Sequence, residues 1–199
     1  MSEDDHLTER CVASQQVYAG HFLDVRRDTV ALPNGRETTR EYIVHPGAVM
    51  VVALADDGRL VVERQYRHAM GRVMLEFPAG KIDADEPPFE CAVRELAEET
   101  GYRAAEWARA GLMHNAIAYS TEFIEVWFAR GLTQGAARLD DGEFLDVDLL
   151  APEELLERAG RGELTDAKTL VGLLWLQNWR GGHWSLAWQP AAAVDNRAP

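Results

Sequence analysis

The chain has 199 residues, of which 47% are hydrophobic, and its formal net charge is −13. This length and composition predict one main domain with a sizeable core and room for a smaller addition. The excess of acidic residues argues against nucleic acid and anionic membranes as partners, because both bind clustered Lys and Arg. Two cysteines, Cys11 and Cys91, are too few for a disulfide framework.

The chain shows no targeting or membrane signal. Its first residues, Met-Ser-Glu-Asp-Asp-His, are acidic and lack the apolar core of a secretory signal. The longest apolar stretch, around Leu170 to Leu176, is too short to cross a bilayer. We therefore expect a soluble cytoplasmic protein in a reducing compartment.

The N-terminal segment has the pattern of a β-hairpin. Residues 17–31 are rich in apolar side chains, the turn sequence Pro33-Asn34-Gly35 follows, and Glu37 to Val44 continues with β-compatible residues. His45-Pro46-Gly47 then interrupts the pattern. We expect a β-rich segment over residues 1–45, which is too small to be stable without a partner surface.

The remainder predicts a mixed α/β domain over residues 46–180. A second hairpin is indicated by Ala48 to Leu54 and Leu60 to Tyr66, joined by Asp56-Asp57-Gly58. Shorter strands are predicted at Val73–Phe77, Phe123–Ala129 and Phe144–Leu149, and helices at residues 152–159 and 165–178. The last stretch, residues 181–199, forms a tail that is either loose or packed on a partner.

Residues 80–102 place three carboxylates on one side of a predicted helix. At ~100° per residue, Glu95, Glu98 and Glu99 fall within an arc of roughly 100°. Like charges at these spacings repel one another and call for a compensating cation. Carboxylate oxygens are preferred by Mg²⁺ and Mn²⁺, so the pattern predicts a divalent-metal site. A neighbouring arc is apolar and predicts the packed side: Phe89, Ala92, Val93 and Leu96.

The ends of this helix are also marked. Asp85 and Glu86 place negative charge at its start, and Pro87 and Pro88 suit a first turn. Gly101 can adopt the left-handed conformation that ends a helix.

The spacing matches the pattern G-x5-E-x7-R-E-U-x-E-E-x-G-U, in which U is apolar, at Gly80, Glu86, Arg94, Glu95, Leu96, Glu98, Glu99, Gly101 and Tyr102. This pattern is the Nudix box, and the chain resembles the Nudix hydrolases. A merely solvated acidic helix, the usual meaning of a charge run, would explain neither Gly80 nor Arg94. The resemblance implies a Nudix-type α/β/α sandwich with a mixed sheet, preceded by a small N-terminal β domain.

The resemblance also implies roles for the box. Glu95, Glu98, Glu99 and the backbone carbonyl of Ala79 would hold Mg²⁺ or Mn²⁺. Arg94, with Glu86 beside it, would orient the glutamates by charge-assisted hydrogen bonds.

The segment before the box narrows the substrate class. Glu63-Arg64-Gln65-Tyr66-Arg67, followed by Leu75 to Gly80, is similar to the ADP-ribose and nucleoside diphosphate sugar branch, whose arginines grip pyrophosphate. Arg64 and Arg67 are three residues apart and would point to opposite faces of a strand, so we expect Arg67 to reach the phosphates. Glu76 would contact ribose hydroxyls or a metal-bound water. The alternative is that all three are strand charges.

The general base in this branch is a glutamate on a loop before a late strand. Glu143, in Asp140-Asp141-Gly142-Glu143, has the matching place, and Gly142 would let the loop close. Asp141 and a box glutamate such as Glu98 are the alternatives, together with an acidic turn that takes no part in catalysis.

One departure concerns specificity. Members that prefer ADP-ribose commonly have a proline about fifteen residues after the box, where this chain has Asn115-Ala116-Ile117. GDP- and UDP-sugars therefore remain alternatives to ADP-ribose. Tyr119, shortly afterwards, would either stack on the base or pack within the protein.

Two other functions agree less well with the sequence. A sensor that binds a nucleotide sugar without cleaving it would be expected to lack box carboxylates, whereas this box is complete. Sanitation of oxidised nucleoside triphosphates fits the N-terminal extension less well. In the resembled branch the N-terminal strands are exchanged between protomers, which implies a homodimer.

Overall fold

The computed structural model describes residues 3–191, which form two compact units. Among the described residues, the first unit comprises those up to Pro46 together with His114–Phe123, and the second comprises Gly47–Met113 and those from Ile124 onwards. The predicted boundaries after residues 45 and 180 stay predictions, and residues 192–199 of the predicted tail lie outside the described residues. Within residues 3–191, no helix has the length and apolar character needed to cross a membrane.

The first unit is built on an antiparallel sheet of three strands in the order β1-β2-β3. Its strands are β1 (Arg10–Ala19), β2 (Asp24–Ala31) and β3 (Glu37–Val44). The predicted hairpin is β2 and β3, and Gly35 takes the positive φ of 81° that its turn requires. The single apolar segment predicted at 17–31 was wrong at its start, because β1 ends at Ala19 and β2 begins only at Asp24.

The second unit contains a mixed sheet of eight strands. Along the main path the order is β10-β5-β4-β9-β8-β11, with β6 paired to β5 and β7 paired to β4. Strands β4 and β9 run parallel, whereas β5 is antiparallel to β4. The strands are β4 (Ala48–Leu54), β5 (Leu60–Arg67), β6 (Arg72–Glu76), β7 (Ala79–Lys81), β8 (Tyr102–His114), β9 (Phe123–Gln134), β10 (Leu145–Leu150) and β11 (Gln189–Pro190).

Three helices accompany this sheet: α1 (Pro88–Thr100), α2 (Pro152–Gly160) and α3 (Ala167–Arg180). Alternate residues of β4 and β5, such as Met50 and Val62, share the main core with residues of α2 and α3. A Cβ at Gly172 of α3 would lie 2.9 Å from the Met50 side chain, so glycine allows a close approach there. Helix α1 instead contacts β4 and β7. The predicted α/β fold with a mixed sheet and a small N-terminal sheet is confirmed.

Candidate active site

Helix α1 is anchored by its apolar face. Cys91, Ala92 and Leu96 are buried, and the Phe89 ring lies 5.6 Å from that of Trp107. The helix ends as predicted at Gly101, where φ is 74° and the N–H donates to the carbonyl of Ala97. This anchoring presents the glutamates of the helix at its other side.

The start of α1 lies at the predicted prolines. The helix begins at Pro88 with Pro87 as its N-cap, and Glu86 immediately precedes them. The Glu86 carboxylate accepts a hydrogen bond from the backbone N–H of Asp83 at 3.1 Å. Its charge is also paired with Arg94, so Glu86 ties the loop to the helix.

Gly80 makes room for the first glutamate of the cluster. A Cβ at this position would lie 1.9 Å from both Cδ and Oε1 of Glu95. Real atoms do not approach so closely, so any side chain at residue 80 would displace Glu95. This steric requirement explains why the box has a glycine at residue 80.

Arg94 holds three of the acidic residues at once. Its Nε and Nη2 donate to the two carboxylate oxygens of Glu86 at 2.7 and 2.8 Å. Its Nη1 donates to Glu95 at 2.8 Å and to Glu98 at 3.1 Å. The planar guanidinium therefore joins these carboxylates in one hydrogen-bonded network, and its orienting role in catalysis stays a prediction.

Glu99 lies deepest in the cluster. It is 5% exposed, and its carboxylate accepts a hydrogen bond from the backbone N–H of Ala79 at 3.2 Å. The structure thus brings Ala79 next to Glu99, while Glu98 is more exposed at the helix surface.

The electrostatics of the cluster fit a bound cation. Burial raises the pKa of Glu95 to about 7, against the opposing effect of Arg94, and the charges of Glu98 and Glu143 add to the increase. Burial, followed by the charges of Glu63, Glu95 and Glu143, raises the pKa of Glu99. Adjacent buried carboxylates that resist ionisation are stabilised by divalent cations with a preference for oxygen.

The acidic side chains of α1 form a donor set rather than a finished metal site. Within residues 3–191, no three His, Cys, Asp or Glu side chains form a ready metal-ligand group. Arg94 donates a hydrogen bond to one carboxylate oxygen of Glu95 and to one of Glu98. The donor set fits Mg²⁺ or Mn²⁺ in chemistry, and its carboxylates converge on one side of α1.

A second charged group lies beside the cluster on β5 and β6. Arg67 donates from Nε and Nη2 to both oxygens of Glu76, at 2.8 and 3.0 Å, and Lys168 of α3 also bonds Glu76. Although burial acts to raise it, the pKa of Glu76 is lowered by Arg67 and Lys168. Glu76 is therefore held ionised between two cations.

Arg64 lies on the opposite face of β5 from Arg67, as the spacing predicted. It pairs with Asp146, directly across from it on β10, at 3.4 Å. The Arg64 side chain is about half exposed.

The loop before β10 carries the predicted base. Glu143 accepts a hydrogen bond from the Gln65 side chain at 3.2 Å, and its charge acts on Glu63, Glu95 and Glu99. Asp141 is exposed. The structure therefore brings Glu143 to the carboxylate cluster.

Comparison with known protein families supports these observations. Residues 44–170 match the family model of the NUDIX domain, which is more than half of the chain, and residues 9–43 match that of the nucleoside diphosphate sugar hydrolase N-terminal domain. The chain belongs to the Nudix family.

Relatives of this Nudix chain include proteins of known activity. It is 35% identical over 173 residues to the ADP-ribose pyrophosphatase of Bacillus subtilis (strain 168), a match that spans 86% of this chain and 94% of that protein. It is 36% identical over 177 residues to the ADP-ribose pyrophosphatase of Mycobacterium tuberculosis (strain ATCC 25618 / H37Rv). This match spans 87% of this chain and 84% of that protein. The predicted enzyme class, a Nudix pyrophosphatase, is confirmed.

A solved structure shows the same fold. The crystal structure of an ADP compounds hydrolase superposes with a TM-score of 0.79 and covers 87% of this chain and 95% of that one. The two sequences are 23% identical, so this likeness supports the Nudix fold alone.

Tyr119 is the one predicted site residue in the first unit. It is 59% exposed, and its backbone carbonyl accepts the N–H of Ile43 at 2.9 Å. The other predicted residues lie in the second unit with the Nudix box.

Sequence reasoning missed two charged residues near the box, Glu63 and Lys168. A signal for Glu63 was available, because it shares one face of β5 with Gln65 and Arg67 at the two-residue period of a strand. Lys168 had no comparable signal, since its contact with Glu76 spans 92 residues of sequence.

The pairing of Glu86 and Arg94 predicts a pH-dependent contribution to stability. The hydrogen bonds from Arg94 lower the pKa of Glu86 from 4.5 to about 2, although burial opposes them. The stabilisation is therefore fully present above pH 4.5 and is lost as the pH falls through about 2. After solvent screening we expect about 2 kcal/mol at pH 6.

Urea unfolding of wild type and Glu86→Gln between pH 6 and 3 measures this contribution. The difference in unfolding free energy should shrink as the pH falls. Glu90→Gln, an exposed change on the same helix, should show no such trend. A wild-type advantage over Glu86→Gln that is constant across this range contradicts the role of the ion pair.

Proposed function

We propose that the enzyme hydrolyses the pyrophosphate bond of ADP-ribose, or of a related nucleoside diphosphate sugar, in a metal-dependent reaction. The products are a nucleoside monophosphate and a sugar phosphate. The observation that carries this proposal is the set of carboxylates on one side of α1. Glu99 accepts the Ala79 N–H, and Arg94 bridges Glu95 and Glu98. The names of the Bacillus and Mycobacterium relatives supply the substrate class.

Mg²⁺ or Mn²⁺ is the proposed cofactor, held by Glu95, Glu98, Glu99 and the Ala79 carbonyl. When bound, the metal neutralises phosphate oxygens that would otherwise repel an incoming hydroxide. Arg94 keeps the carboxylates directed at one place, and Gly80 leaves the space that Glu95 needs.

Glu143 is the proposed general base. Its carboxylate takes a proton from the attacking water, whose oxygen bonds to one phosphorus as the bridging phosphorus–oxygen bond breaks. The bridging oxygen leaves with the other phosphate, which gives AMP and ribose 5-phosphate from ADP-ribose. Gly142, next to Glu143, has a φ of 90°, which side chains rarely adopt, and a glycine there would let the loop change conformation for this approach.

Arg67, Arg64, Glu76 and Tyr119 are the proposed substrate contacts. Support is strongest for Arg67, because it shares the face of β5 that carries Glu63 and is close enough for the charge of Glu99 to act on it. Glu76 positions Arg67 through two hydrogen bonds, which supports a role for this pair in the phosphate-binding part of the site. Arg64 is about half exposed and is proposed to contact an outer part of the substrate.

We also propose a cytoplasmic homodimer formed through the N-terminal strands. The dimer is supported by β1, every residue of which is exposed, including Val12, Val17 and Tyr18. The reducing compartment is supported by the two cysteines, which are free thiols. Covering such an edge strand protects it from unwanted pairing. A solution mass of 22.2 kDa, that of one chain, would contradict the dimer.

The substrate is tested by initial rates with Mg²⁺ and Mn²⁺ on ADP-ribose, GDP-mannose, UDP-glucose and nucleoside triphosphates. We expect the highest kcat/KM on ADP-ribose. A preference for the GDP- or UDP-sugar would keep the reaction and change the substrate. A preference for nucleoside triphosphates would contradict the proposed class.

A further inference from the structure

Glu63 is a buried acid with an unsatisfied oxygen outside the Nudix box. It is 4% exposed in β5, and its Oε1 has no hydrogen-bond partner among residues 3–191. A buried carboxylate oxygen without a partner is costly, because it has lost water and gained nothing in exchange.

The register of β5 places Glu63 on the face of the sheet away from α2 and α3. Leu60 and Val62 belong to the core shared with α2 and α3, so the alternation of the strand places Glu63 on the other face. Glu76 lies directly across from Glu63 on β6. Gln65 and Arg67 follow on the same face as Glu63.

The neighbours of Glu63 add negative charge. Its carboxyl group contacts that of Glu99, and the charges of Glu143 and Glu76 also act on it. Arg67, a cation on the same face, donates hydrogen bonds from Nε and Nη2 to Glu76. The carboxyl groups of Glu63 and Glu99 therefore face each other, and the positive charge of Arg67 is paired with Glu76 instead.

We propose that Glu63 is a ligand of a divalent cation bound between β5 and α1, with Glu99 shared between this position and the Nudix box. The inference rests on the proposed metal-dependent function and extends its site beyond the box. Carboxylates from two elements are suited to a hard cation such as Mg²⁺ or Mn²⁺. Two cations that share a carboxylate form a recurrent arrangement for displacement at phosphorus.

The competing explanation is a proton shared between Glu63 and Glu99. Glutamine has the shape of a protonated glutamate, so Glu63→Gln separates the two explanations. If Glu63 binds a cation, the loss of its charge weakens metal binding. If Glu63 only shares a proton, metal binding is unchanged.

The experiment titrates Mn²⁺ into the full chain and follows free Mn²⁺ by electron paramagnetic resonance. Wild type is compared with Glu63→Gln, with Glu99→Gln, and with the control Glu125→Gln. Glu125 is also a buried strand glutamate, but it is paired with Arg109 at 2.8 Å. We expect Glu63→Gln to lose one bound Mn²⁺ or to weaken affinity at least about tenfold, since loss of a supporting residue alone costs about 10–100-fold.

Thermal unfolding with and without Mn²⁺ provides the second readout. The metal-free melting temperature of Glu63→Gln should equal or exceed that of wild type, because one of two facing buried charges is gone. The increase in melting temperature on adding Mn²⁺ should be smaller than in wild type. If Glu63→Gln is unstable without metal, Glu63→Asp, which keeps the charge on a shorter side chain, should show the same weakened Mn²⁺ binding.

The outcomes separate this inference from the proposed function. The inference is overturned, and the proposed function stands, if three results are found together. Glu63→Gln binds Mn²⁺ with wild-type stoichiometry and affinity, Glu99→Gln loses Mn²⁺, and the wild type turns over substrate. Failure of wild type to bind Mn²⁺ overturns both.

Discussion

Replacing Glu99 with Gln is expected to reduce metal-dependent turnover at least about a thousandfold, the equivalent of about 4 kcal/mol of lost transition-state stabilisation. Glu99 is the most buried acid of the box, and it lies against the Ala79 backbone. Glutamine keeps the size of the side chain and its hydrogen bond from Ala79. The protein should therefore remain folded, because the change also removes one of several clustered buried charges.

Steady-state rates over a range of Mg²⁺ concentrations measure the effect of Glu99→Gln. Glu90→Gln, an exposed change on the same helix, is the matched control and should retain wild-type rates. Circular dichroism checks that both variants fold. If the folded Glu99→Gln variant retains Mg²⁺-dependent activity, the proposal that α1 holds the metal is contradicted.

Replacing Glu143 with Gln is expected to lower kcat by about 10²–10⁴-fold with little change in KM, as for loss of a general base. The carboxylate lies close enough to the cluster to act on Glu95 and Glu99, and it is held by Gln65. It is therefore placed to receive a proton next to the metal ligands.

Asp141→Asn is the matched control for Glu143, because Asp141 lies in the same loop and is exposed. We expect near-wild-type kcat from it, and we expect the substrate to bind both variants with wild-type affinity. If Asp141→Asn loses the rate and Glu143→Gln does not, the base is Asp141. If both retain the rate, the base lies on another element.

Local patterns predicted most of the elements correctly. The hairpin turns and the helix α1 are coded by neighbouring residues, such as the Pro33-Asn34-Gly35 turn and the glycine after Thr100. Strand β8 was missed because Tyr102–His114 has four Ala and two Arg residues, which favour a helix in isolation. Its place in the sheet overrides that preference. Strands β7 and β11, of three and two residues, are too short for a periodic signal.

In the candidate site, too, local contacts could be predicted from the sequence and long-range contacts could not. The contacts of Arg94 with Glu86, Glu95 and Glu98 follow from spacing within one segment. The position of Glu63 depends on the pairing of β5 with β6 and on the approach of α1. The bond from Lys168 to Glu76 depends on how α3 packs on the sheet. Such long-range contacts are set by the whole fold, so spacing alone could not reveal them.

Product analysis of ADP-ribose incubated with the enzyme tests the central claim most directly. Chromatography of parallel reactions with Mg²⁺, and with Mg²⁺ plus EDTA, identifies the products and their metal dependence. The proposed function predicts equal amounts of AMP and ribose 5-phosphate with Mg²⁺ and none with EDTA. Tight binding of ADP-ribose without cleavage at saturating Mg²⁺ would contradict it and indicate a sensor.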